Sequence, residues 1–180
     1  MNPAIEKLLE IANKEVGVRE GTHNTTGARV VEYQGATWLA PGAWPWCAAF
    51  TCWVMREWLE DDGVREIVRQ ALKLPSFGFA NAEKLRCRDA SAFGWEKWAK
   101  ARGFQVLPET ALARAGDFVV FDFSHIGIVA ADQKAVTDNL QTIEGNTNRK
   151  GEADSVGGDG VWKKERAPQL TKSYIRLFAG

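Results

Sequence analysis

The chain has 180 residues, 45% hydrophobic and 26% charged, with 23 basic and 23 acidic side chains and a formal net charge of zero. That is enough for one compact domain with a real core, 1–180 as a single unit, and too short for two full ones. No basic footprint stands out beyond Lys163, Lys164 and Arg166, which argues against nucleic acid as a partner. No stretch approaches a membrane-spanning length, so no stable membrane association is expected.

In chain order, Asn2-Pro3 starts a helix with proline at its first position, and Ile5, Leu8, Leu9, Ala12 and Val16 follow helical spacing up to Gly17. This amphipathic start lacks the charged n-region and unbroken apolar run of a signal peptide, so synthesis in the cytosol is expected. Residues 18–44, rich in Gly, Thr and Asn, read mostly as loop. Pro45 opens a second helix from about Trp46 to Leu59 that is apolar nearly all round, which places it inside the domain. Asp61-Asp62-Gly63 ends it, and Val64, Ile67, Val68, Ala71 and Leu72 mark a shorter amphipathic helix. Ser91 is positioned to cap another, carrying Trp95, Trp98 and Ala99. From Gly116 the period changes. Phe118–Phe121, His125–Ala131, Leu140–Ile143, Val161–Glu165 and Tyr174–Phe178 read as short antiparallel strands, with a glycine-rich hairpin loop over 151–160. Helices followed by strands indicate an α+β fold.

Three cysteines and two histidines give neither a disulfide framework nor metal-ligand spacing, so no metal and no cofactor are expected. Cys47 lies just inside the buried helix, where free N–H groups and the positive dipole end favour a thiolate. Its own N–H is placed to donate to an oxyanion. Taken alone, a cysteine on an apolar helix is a small core residue, and Cys52 fits that reading. Cys87, between Arg86 and Arg88, reads as an incidental reactive thiol. His125 opens a strand that would hold a general base firmly, and Gly127 leaves room beside it. Glu144 or Asn146, on the next strand, would accept from the far ring nitrogen and fix the tautomer. His23 falls in a polar loop. Eight tryptophans suit a binding groove. Trp44, Trp46 and Trp38 are groove candidates beside the nucleophile, whereas Trp53 and Trp58 read as core.

Four segments in this order resemble the CHAP family of cysteine- and histidine-dependent amidohydrolases and peptidases, which are papain-like and related to the NlpC/P60 peptidases. They are Ala43–Phe50 around Cys47, Ala115–Phe121, Ser124–Val129 around His125, and Ile143–Thr147. Gly158–Val161 and Val16–Gly21 add weaker likeness. The resemblance implies N-terminal helices packed on a C-terminal antiparallel sheet, with Cys47 as nucleophile, His125 as base, Glu144 orienting it and Asn146 as a supporting polar group. It implies peptidoglycan as substrate, cut between N-acetylmuramic acid and L-alanine or within the peptide stem or bridge. Residues 60–90 look longer than the family's usual link, and the acidic calcium loop of some members is not seen. Asp154 and Asp159 read as solvated hairpin charges.

With no separate wall-binding domain and no signal peptide expected, delivery to the wall falls to a holin, as for a phage endolysin, or to a secretion machine. An effector of the second kind would be matched by an immunity protein. A monomer is expected. The alternatives are a catalytically dead, Trp-rich module that binds the wall without cutting, and an amidase for a small amide of the glutathionylspermidine type.

Overall fold

A computed structural model describes residues 2–21, 27–149 and 158–178. Helix α1 spans Pro3–Lys14; the Asn2 side chain caps it by accepting from the Ala4 N–H at 2.9 Å, and Ala4, Leu8, Leu9 and Ala12 form its buried stripe. Helix α2, Ala28–Gly35, falls in the stretch read as loop and buries Val30, Tyr33 and Gln34. Its N-cap is Gly27, at φ 110° and with no side-chain cap, so the usual start signal is missing from the sequence.

Helix α3, Cys47–Glu60, is the buried helix that its all-apolar sequence predicts. Asp61 both ends α3 and caps α4, Asp62–Ala71, by accepting from the Val64 N–H at 3.0 Å. Helix α5, Phe79–Leu85, and helix α6, Ala92–Arg102, follow. Ser91 precedes α6 as expected but makes no side-chain cap, and left-handed Gly103 closes the helix.

The strands are β1 (Gln105–Pro108), β2 (Phe118–Phe121), β3 (His125–Val129), β4 (Leu140–Thr147), β5 (Gly160–Arg166) and β6 (Thr171–Arg176). They form one antiparallel sheet in the order β1-β6-β2-β3-β4-β5. The α+β architecture, helices first and an antiparallel sheet second, is therefore as the sequence indicates. β1 is a four-residue edge strand ending in proline, too short and too weakly patterned to read. β4 runs past its expected end at Ile143 to Thr147, with an irregular register between Glu144 and Thr147. Of the hairpin loop expected at 151–160, positions 151–157 lie outside the described residues.

Alternation along the strands divides the core. Phe118, Val120, Ile126, Ile128, Ile143 and Ile175 join the large cluster with the helices. Val119, Phe121, Val129, Leu140 and Tyr174 form a small cluster of their own. Helix α3 lies between the other helices and the sheet, touching α1, α2, α4, α5, β3 and β4. Two contacts fix its position. Trp58 Nε1 donates to the Ala4 carbonyl at 2.7 Å. At Gly145 of β4 a Cβ would come within 2.5 Å of Phe50 Cβ and 2.9 Å of the Trp46 ring, so only glycine lets the start of α3 rest on this strand.

Truncating the first contact has a calculable effect. Trp58→Ala is expected to destabilise the fold by about 3–5 kcal/mol, since it empties a buried indole site. Chemical denaturation measures this, and a loss under about 1 kcal/mol would contradict the pinning of α3 to α1.

Candidate active site

Cys47 is the first residue of α3, preceded by Trp46 at the N-cap. The helix begins there because Pro45 and Trp46 feed directly into the apolar run. The N–H of a first-turn residue has no intrahelical acceptor, so the thiol and a free donor occupy the same position. His125 is the first residue of β3, directly opposite Phe121 of β2 across a three-residue connection, 122–124. Ser124 takes a left-handed conformation at φ 63° to make the turn. The imidazole is fully buried and stacks on Phe123 (centroids 5.7 Å, planes 11° apart) and on Phe121 (5.9 Å, 22°).

Of the two candidates, Glu144 is the one that meets the imidazole. His125 Nε2 donates to Glu144 Oε2 at 2.8 Å. The register Ile128↔Ile143 and Val129↔Thr142 carries Glu144 alongside Gly127, where a Cβ would meet Glu144 Cγ at 2.6 Å. The room beside His125 that Gly127 was expected to leave is thus the space that Glu144 fills. Asn146 is also fully buried, in a left-handed conformation at φ 54°, but its side-chain oxygen and nitrogen have no partner and it does not bond His125. The choice between the two residues, open in the sequence, is settled geometrically for Glu144.

Because Nε2 is committed to Glu144, the ring nitrogen left for Cys47 is Nδ1, which has no hydrogen-bond partner of ordinary geometry. Catalytic contacts are often loose before substrate arrives. Electrostatically the groups are joined. Burial opposes a charge on His125, but the charge and hydrogen bond of Cys47, with those of Glu144, outweigh it and raise the imidazole to about 9. Burial likewise pushes the Glu144 carboxyl up, yet hydrogen bonds from Arg166 and His125 bring it down to about 2.

Two partners of Glu144 escaped the sequence reading. Thr142 Oγ1 donates to Oε1 at 2.5 Å, and Arg166 reaches both oxygens, with Nε to Oε1 at 2.9 Å and Nη2 to Oε2 at 2.6 Å. Thr142 lies two residues before Glu144 on the same strand and shares its face, a spacing visible in sequence. Arg166 closes a basic strand and looks like a solvated charge, but it is 1% exposed.

The tryptophans require a correction. Trp46, expected in a groove, is fully buried; it stacks on Tyr33 at 5.5 Å and donates from Nε1 to Glu20 at 2.9 Å. Trp44 is half-buried and donates to the Ala40 carbonyl at 2.9 Å. Trp38 is 74% exposed on a loop held by Thr37, whose Oγ1 bonds the backbone of Gln34 and Leu39, and by a bond from its own N–H to the Arg88 carbonyl. A second correction concerns Cys87, expected as a reactive loop thiol. It is fully buried against Met55 and beside Cys52, whose own thiol is pushed up by burial and by that neighbour. Asp159, expected as a solvated charge, pairs with Arg19 and accepts from Trp162 Nε1. His23 and Asp154 lie outside the described residues.

No protein-family model matches the chain, and a search of curated proteins finds no match.

Two measurements follow from this geometry. The raised His125 contributes stability that is complete below its ordinary value of 6.5 and lost as pH rises through about 9, whereas Glu144 contributes above 4.5 and loses it as pH falls towards 2. NMR titration is expected to show the His125 midpoint near 9 in the native protein and lower in Cys47→Ala, where burial acts with less opposition. An unmoved midpoint would sever Cys47 from His125. Separately, iodoacetamide under native conditions is expected to alkylate Cys47, which is 4% exposed, and to spare Cys52 and Cys87, both at 0%. Equal labelling of all three would remove the distinction between a functional thiol and core thiols.

Proposed function

We propose that the chain is a cysteine amidase acting on bacterial peptidoglycan, with Cys47 as nucleophile, His125 as general base and acid, and Glu144 as its orienting carboxylate. The observation that carries the reaction class is the division of the imidazole: Nε2 is held by a buried carboxylate and Nδ1 is left for the thiol of Cys47. The substrate class rests on the resemblance to the CHAP family. A phage endolysin is the setting that this resemblance favours, and the bond cut is the muramoyl–L-alanine amide or one within the stem or bridge.

In the reaction, His125 Nδ1 takes the proton of Cys47 Sγ, and the thiolate attacks the amide carbonyl carbon. The carbonyl π electrons move to oxygen, and the Cys47 N–H donates to that oxyanion. On collapse the C–N bond breaks and the imidazolium protonates the departing amine. Water, deprotonated by His125, then attacks the thioester. The carboxylic acid leaves, and the sulfur regains its proton from the imidazolium. Glu144 keeps one tautomer in place through both halves and balances the imidazolium charge. Among the aromatic side chains near Cys47 in sequence, Trp38 is the exposed one, which supports assigning it to stack on a sugar or peptide.

Release of new amine groups from purified peptidoglycan, with product masses, tests the proposal. The native protein is expected to cut, and Cys47→Ala and His125→Ala are expected to lose activity by about a thousandfold or more. Cutting that persists in Cys47→Ala would overturn the nucleophile. Silence of the native protein on several wall types, with turnover of a small amide, would overturn the substrate. The tryptophans separate by a second readout. Trp38→Ala is expected to raise KM at unchanged melting temperature, whereas Trp46→Ala is expected to lower stability by about 3–5 kcal/mol. The reverse pattern would contradict their assigned places.

A further inference from the structure

We propose that Arg166 is a positioning residue for this reaction: its guanidinium grips both oxygens of Glu144 and so sets the carboxylate on which His125 is aligned. The proposal rests on the Cys47–His125–Glu144 reading and adds a residue that acts through Glu144.

The geometry is a two-point grip. Nε lies 2.9 Å from Oε1 and Nη2 lies 2.6 Å from Oε2, and Nη2 also reaches Thr147 Oγ1 at 3.3 Å. Oε1 further accepts from Thr142 and Oε2 from His125. Nε also lies 3.2 Å from Oε2, so each oxygen has at least one donor from Arg166 and one from another residue. A planar fork that meets a carboxylate in this way fixes its rotation as well as its position, which a point charge cannot do. Arg166 is itself fixed, since its guanidinium carbon lies 5.6 Å from the Phe121 centroid and 5.7 Å from that of Phe123, the two rings on which His125 stacks. Base and arginine therefore share one aromatic wall, and the carboxylate is bonded to both.

The arrangement has an electrostatic reason. Glu144 and His125 are both fully buried, and an isolated buried carboxylate takes up a proton in preference to remaining charged. A protonated Glu144 would no longer balance an imidazolium. The bonds from Arg166 head the causes that hold Glu144 in its ionised form against burial. Through Glu144, Arg166 thereby maintains the charge state that His125 needs, at the far end of the ring from Cys47.

The experiment follows the iodoacetamide rate of Cys47 by mass spectrometry, together with the NMR titration of His125, so that no substrate needs to be known. Arg166→Met is expected to lower the His125 midpoint from about 9 towards neutrality and to slow alkylation at pH 7 by the matching loss of imidazolium. Arg166→Lys, which keeps the charge and loses the fork, is expected to fall between. In a Glu144→Gln background, Arg166→Met is expected to slow alkylation no further, because the group through which it acts is gone. A folded Arg166→Met with the native rate and midpoint would overturn the proposal, as would an equal loss in both backgrounds. If Arg166→Met does not fold, Arg166→Lys decides, and a native rate and midpoint there would overturn the two-point grip. If His125→Ala leaves the alkylation rate of the otherwise native protein unchanged, the catalytic reading itself fails, whatever Arg166 does.

Discussion

Taking the carboxylate of Glu144 wholly out of water is the most demanding step in building this molecule, and the C-terminal half is arranged around meeting that demand. A bare ion in such a place is strongly disfavoured, and a broken buried pair is costly, so every partner has to be supplied at once. β3 supplies the imidazole, β4 the threonine and β5 the arginine. Those strands are adjacent in the sheet, and one register brings the three donors to a single point. A slip of one residue in the β3–β4 pairing would turn Glu144 to the other face and leave His125 without its acceptor. Strand register and chemistry are here the same constraint.

Cys47, the proposed nucleophile, reaches this assembly from the other half of the chain. α3 is apolar on nearly every side, so it finds its place only where helices cover one flank and the sheet the other. Its first turn rests on β4 at Gly145, next to Glu144. The thiol belongs to the large core cluster, whereas the rings that stack on His125 belong to or pack on the small one. The Cys47–His125 pair therefore spans the boundary between two cores, and each member is held by packing that the other does not share.

How much of this was legible follows from what each signal encodes. The buried helix was readable because its composition leaves no polar face, and Pro45 marks where it begins. His125 was readable because alternating apolar residues surround it on a strand. Glu144 and Asn146 were not separable, since two residues spaced by two share a face until an irregular register intervenes. Arg166 was invisible for a different reason. Its partner is 22 positions away, and a basic residue at the end of a basic strand carries no mark of burial. Trp46 misled because adjacency to Cys47 in sequence says nothing of which way a ring turns from the N-cap. α2 was missed because glycine takes the place of a capping side chain. Residue types thus carry the proposed reaction class, while the distinction between core and surface depended on the tertiary structure.

Gly127 adds a condition that none of the proposed catalytic side chains expresses. A methyl group there would press on Glu144 Cγ, and one at Gly145 would press on Phe50. A descendant of this sequence could keep cysteine, histidine and glutamate intact yet lose the alignment between them by gaining a single carbon at a position with no chemistry of its own. Sorting active from inactive members of such a lineage would therefore call for reading two hydrogens as closely as three functional groups.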